Sequence, residues 1–302
     1  MNLNIFIYII LNLLFLQLLG LEENWPIRSF EIMSIIGIAT FGVAHGAIDH
    51  VLYQSKTVTP GAGHAQFIIK YLIVAALFAL LWFVAPVIAL MLFLIISAYH
   101  FGQSQYTGLV SLSKGLKGML YFSWGGLVLS FMFLFNPNDF NSISGLDQGL
   151  ESALIWAVEN AQTFTLTFFI SFLSLFIYLI AQRKINHQQA GMEVFLLGLI
   201  VCSFYLLPAF IAFSLFFVVV HSSKVIAQEY DYCKKEKIIQ SKSSFLRLFL
   251  PLTLVSLAGI VLTYFTARQL SKLSDLWVFA LLVLLSSVTL PHAFVMERFY
   301  KN

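Results

Sequence analysis

Residues 87–102 read VIALMLFLIISAYHFG, an apolar run that ends on an imidazole, His100. The same arrangement recurs at His45 (TFGVAHGAIDH), His221 (FFVVVHSSK) and His292 (SSVTLPHAF). An imidazole at the edge of hydrocarbon costs free energy. Four such placements therefore ask for a shared purpose, such as a metal or a proton path.

The surrounding chain is 60% hydrophobic and 10% charged, with a mean hydropathy of +0.88. That composition excludes an ordinary soluble domain. Apolar runs of spanning length fill most of the 302 residues, predicting an all-α, polytopic membrane bundle that forms a single domain over 1–302. About ten spans are expected, near 3–21, 30–53, 67–85, 87–101, 117–135, 163–181, 190–207, 209–227, 247–267 and 275–296. Pro86 and Pro208 mark two short joints, because proline ends a helix and restricts its predecessor.

With ten spans, the even-numbered loops share a side with both termini. That side holds all but Arg28, Arg268 and Lys272 of the 17 Lys and Arg, so both ends are expected in the cytoplasm. The net charge of +3 reflects this basic rim and calls for no nucleic-acid partner. Each of the four histidines closes an even-numbered helix, so all four are expected at one depth near the inner interface. Residues 228–246 read as a solvated basic connector, and Glu229 is placed in it. Residues 137–151 form the main outward loop. His64 and His187 fall in loops, where a surface histidine is the ordinary reading. Cys202 sits in a helix and Cys233 in the connector, and no disulfide is expected between them.

Neutral imidazoles suit Zn, Fe and Cu, and an all-nitrogen set with an open position fits Fe(II) that binds O2. Two other readings share the pattern: each histidine caps the negative end of its helix, or the group relays protons in a transporter. Asp49 lies four residues after His45, which on a helix puts it on the same face, placed to orient the His45 ring. Gly42 and Gly46 have the spacing for close helix approach. His50 stands as a reserve ligand. Gln103 is placed to hydrogen-bond near a metal on His100, and Gly102 to let the chain turn sharply. Pro291 frees a carbonyl near Ser287 and kinks the last helix. The 31 Phe, 12 Tyr and 5 Trp suit packing and lipid contact, or a long conjugated ligand entering from the bilayer.

At HGAIDH, SAYHFGQSQ, HSSK and the terminal LPH, the chain resembles the Brp/Blh family of membrane β-carotene 15,15′-dioxygenases over nearly its whole length. The resemblance implies a non-haem Fe(II) enzyme of the cell inner membrane. Such an enzyme uses O2 to split the central double bond of β-carotene into two retinals, which can pass to a rhodopsin. It also implies iron held by four histidines, of which His45, His100 and His221 match three. The fourth, expected one turn after the HS motif, is replaced here by Val225. Three readings follow: His292 or His50 completes the set, three imidazoles suffice with water, or the chain binds carotenoid without cleaving it. The first, with His292, is preferred. A proton or solute transporter is the rival from another class.

Overall fold

A computed structural model of the chain describes residues 3–20, 33–55, 63–108, 112–141, 148–270 and 276–300. Every regular element among them is helical. In order these are α1 (Leu3–Leu19), a π-helical turn (Ile38–Gly42), a 3-10 turn (Val43–Gly46), α2 (Asp49–Ser55), α3 (Gly63–Val84) and α4 (Pro86–Tyr106). Then come α5 (Lys114–Phe135), α6 (Pro137–Asn141), α7 (Gln148–Glu159), α8 (Ala161–Ala181) and α9 (His187–Leu206). The chain finishes with α10 (Ala209–Leu215), a π-helical segment (Phe216–Ser222), α11 (Ser223–Lys235), α12 (Lys242–Leu270) and α13 (Leu276–Tyr300).

Seven helices among the described residues are long and apolar enough to cross a bilayer, and they coincide with seven of the ten predicted spans. Their exposed side chains argue the same way. Leu72, Leu77, Phe83 and Val84 of α3 are open to the surroundings, an arrangement that water would penalise and hydrocarbon favours. The predicted span at 3–21 corresponds to α1, an apolar helix of 17 residues.

Several expectations are corrected. The predicted span over 30–53 is broken: helical residues 33–37 give way to the π turn, the 3-10 turn and a bend before α2. Gly42 and Gly46 fall in the broken stretch, where each costs a helix about 1 kcal/mol relative to alanine. The span at 87–101 runs on to Tyr106, so Gly102 is helical and makes no turn. The connector 228–246 begins as helix up to Lys235, with Glu229 and Cys233 both buried. His187 opens α9 and His64 lies in the first turn of α3, so neither is in a loop. The predicted outward loop contains α6 and α7, and its residues 142–147 lie outside the described residues. Cys202 and Cys233 are both free, as expected.

The chain divides into two compact units. The first comprises 1–38, 98–142 and 154–224. Here α5 is the central helix, buried from Leu120 to Phe131 apart from Phe122 and packed along α8. Thr165 Oγ1 donates to Ser130 Oγ at 2.9 Å, so a hydroxyl pair ties the two helices within their buried contact. Glycines set the approach of α4 to α5: a Cβ on Gly102 would overlap the Tyr121 backbone, and one on Gly125 would overlap the Ala98 backbone. Only backbone faces backbone there, the small-residue contact that bilayer helices use in place of hydrophobic drive. The joint at Pro208 is held by the Ala209 amide, which donates to Asp139 Oδ2 at 2.8 Å. A capping box of Asn186 and Gln189 starts α9.

The second unit comprises 39–97, 143–153 and 225–302. There α13 runs continuously through Pro291 and packs against α2, α3 and α12. Trp82 Nε1 donates to Ser286 Oγ at 2.7 Å, satisfying an indole that is otherwise fully buried. Ile48, Leu52, Phe67, Val225, Cys233 and Met296 belong to one apolar cluster. The position that the family resemblance assigns to a fourth ligand is therefore filled by hydrocarbon packing.

The helix crossing predicts a contrast between glycines. Gly102→Ala should destabilise the protein in detergent by about 1–3 kcal/mol, the cost of overpacking. Gly191→Ala, with open space around it, should be neutral or stabilising by up to about 1 kcal/mol. Equal melting temperatures for the two variants would contradict the close crossing.

Candidate metal centre

In the first unit, α4 carries His100 and the π segment carries His221, both buried. Their rings meet edge to face, with centroids 4.9 Å apart at 78°. A π turn inserts one extra residue into the helical register and commonly marks a functional position. Its signature is the Ser223 amide donating to the Val218 carbonyl, five residues back. Aromatic rings wall this pair. Phe213, Phe217 and His221 form a stacked ladder with successive centroids 5.6 Å apart. The Phe101 ring lies 4.7 Å from that of His221.

Ser104 sits beside the His221 ring nitrogen. Ser104 Oγ donates its single proton to the Phe101 carbonyl at 2.9 Å. It is also 2.9 Å from His221 Nδ1. When the hydroxyl gives its proton to the carbonyl it accepts from the ring, and Nδ1 then carries the hydrogen and Nε2 the lone pair. This is the form in which imidazole binds a metal. Gln103 is buried on the same helix as His100.

In the second unit, the 3-10 turn carries His45 and α13 carries His292, again both buried. These rings meet edge to face with centroids 4.5 Å apart at 82°. Asp49 is the partner of His292: Nδ1 donates to Oδ1 at 2.9 Å and to Oδ2 at 3.0 Å. The carboxylate accepts from Nδ1, and in the neutral ring the lone pair of His292 then lies at Nε2. The expectation that Asp49 shares a helical face with His45 does not hold, because residues 43–48 are 3-10 and turn. Asp49, expected to orient His45, bonds the His292 ring from the far end of the chain. Gly46 leaves room for that ring, since a Cβ there would stand 3.3 Å from His292 Nδ1. His50 follows Asp49 at the start of α2 and is partly buried. Glu229, expected in solvent, is fully buried.

Within each unit the paired buried imidazoles, His100 with His221 and His45 with His292, have the donor chemistry that suits a metal ion. Ser104 was missed in the sequence. Its only signal is a hydroxyl residue four positions after His100, a common enough spacing to pass unnoticed.

Residues 36–300 match the family model for beta-carotene 15,15′-dioxygenase. The chain belongs to that family of dioxygenases. A relative from uncultured marine bacterium 66A03, named beta-carotene 15,15′-dioxygenase, is 22% identical over 272 residues, covering 87% of this chain and 92% of the relative. No solved structure matches the chain.

The His292–Asp49 bond predicts a non-additive pair of variants. Asp49→Ala strands a buried N–H and should cost about 1–3 kcal/mol. Adding His292→Phe removes the stranded donor and should recover part of that loss. Thermal unfolding in micelles reads both, and a fully additive result would rule out the bond.

Proposed function

We propose that the protein cleaves β-carotene with O2 at its central 15,15′ double bond, giving two retinals. The carbon–carbon double bond breaks, and each of its carbons takes one oxygen atom, so atoms balance with no further reductant. Family membership supports the substrate class. The observation that carries the reading is that buried His221 and His292 each have an oxygen partner at Nδ1, the arrangement that orients a ring to bind a metal through Nε2.

In this reading His45, His100 and His221 hold Fe(II), and His292 completes the set in place of the residue lost at Val225. His292 is preferred to His50 because an acidic partner already orients it. Bound Fe(II) would supply the activation of O2. The chain's own residues do the rest. Ser104 and Asp49 keep two rings in the binding tautomer. Phe101, Phe213 and Phe217 offer an apolar, π-rich wall against which a rigid polyene can lie and from which water is excluded. Gln103 is assigned a hydrogen-bonding role beside the metal. The substrate enters from membrane lipid, and retinal leaves toward an acceptor such as a rhodopsin. The Lys and Arg distribution supports a cytoplasmic-membrane protein with both ends inside.

A second reading is favoured by one specific feature, the apolar packing around Val225: a family member that binds carotenoid and does not cleave it. Expression in a bacterium that accumulates β-carotene separates the two. Cleavage predicts loss of orange colour and appearance of retinal by chromatography. His45→Ala, His100→Ala and His221→Ala should each abolish both, and His292→Ala should lower the rate at least tenfold, the lower end for lost metal-site groups. Chelation followed by Fe(II) addition should abolish and then restore activity. Pigment that co-purifies uncleaved, with O2 and Fe(II) supplied, would select the binding reading. Val225→His places an imidazole among Leu52, Phe67 and Met296, and is expected to lower stability without raising activity.

A further inference from the structure

A second polar network lies in the first unit, just beyond the two histidines. Lys224 Nζ donates to the Gln105 backbone carbonyl and to Gln105 Oε1, both at 2.9 Å. Gln105 Nε2 donates to the two Glu193 carboxylate oxygens at 2.9 and 2.8 Å. The Tyr106 hydroxyl donates to Glu193 Oε2 at 3.3 Å. A cation and an anion are thus joined through a neutral amide whose oxygen faces the cation and whose nitrogen faces the anion. Only that order of charges satisfies every group.

The attachment points matter. Lys224 stands three residues after His221, and Gln105 five residues after His100 and next to Ser104. The Gln105 carbonyl lies in the last turn of α4, where no amide of the helix can reach it. Lys224 supplies that missing donor, and its charge complements the negative end of the helix. Glu193 anchors the assembly to α9. A surface ion pair would do little here. These groups are partly buried, and their hydrogen bonds span three separate helical segments.

We propose that Lys224, Gln105 and Glu193 act as positioning residues, a strut that sets the separation and rotation of the helical segments bearing His100 and His221. This rests on the metal-centre reading above. The strut touches neither ring. It acts by fixing where the backbone delivers them, since ligand geometry must be held within a fraction of an ångström. It also accounts for a charged lysine immediately before Val225, in a stretch where a cation would otherwise be costly.

Reversing the order of charges tests it, using Co(II) added to the metal-free full chain in detergent. Visible absorption reports both affinity and ligand field, independently of turnover. Gln105→Glu sets two carboxylates face to face and should weaken Co(II) binding about tenfold while shifting its bands. Adding Glu193→Gln returns an amide donor opposite a carboxylate, and should restore both affinity and spectrum. If Gln105→Glu yields no folded protein, Glu193→Gln alone, nearly isosteric, is measured by the same criterion. Wild-type affinity and bands in the single variant would overturn the strut while leaving the metal centre standing. Absence of any Co(II) spectrum in the wild-type protein would defeat the metal centre and the strut together.

Discussion

A neutral imidazole has one nitrogen that carries a proton and one that carries a lone pair, and burial makes the assignment of each consequential. In this chain the Ser104 hydroxyl stands at Nδ1 of His221 and the Asp49 carboxylate at Nδ1 of His292. Both acceptors are themselves buried, so water cannot compete for the role. With the hydrogen on Nδ1, each ring carries its electron pair at Nε2. Remove the acceptors and either nitrogen could carry the proton, and the donor set would lose its definition.

Backbone irregularity accompanies this chemistry. His221 lies in a π-helical segment, and His45 in a 3-10 turn that follows another π turn. Departures from the α ladder at membrane depth leave amides and carbonyls needing partners, and are tolerated where protein surrounds them. Buried residues lie within the first stretch, among them Phe216 and Val219, and directly after the second, Ala47 and Ile48. The regular helices meanwhile turn leucine, isoleucine and phenylalanine outward. Of the four histidines, His45 and His221 stand on irregular backbone, and His100 and His292 on regular α-helices.

Much of this was legible from the sequence for local reasons. Spanning length, the joints at Pro86 and Pro208, and the recurrence of histidine after apolar runs each depend on a few neighbouring residues. The family motifs singled out His45, His100 and His221, each of which is buried. What escaped reading is long-range. The partner of Asp49 is 243 positions away, beyond any helical-period argument. Ser104 reads as an ordinary small polar residue until the carbonyl it donates to is known. Glu229 and Cys233 looked like parts of a solvated connector because charge pattern reports composition and not tertiary cover. The π turn at His221 leaves no mark in a run of Phe and Val, since uniform hydrophobicity carries no period. Gly102 was read as a bend, whereas its missing side chain admits a neighbouring backbone.

X-ray absorption at the iron edge, on protein loaded anaerobically with one equivalent of Fe(II), tests the central claim most directly. Imidazole rings give a characteristic multiple-scattering pattern beyond the first nitrogen shell. The account predicts three or four such rings on the metal, with the remaining positions filled by light oxygen donors. A spectrum of oxygen donors alone, or one indistinguishable from Fe(II) in buffer, would contradict it.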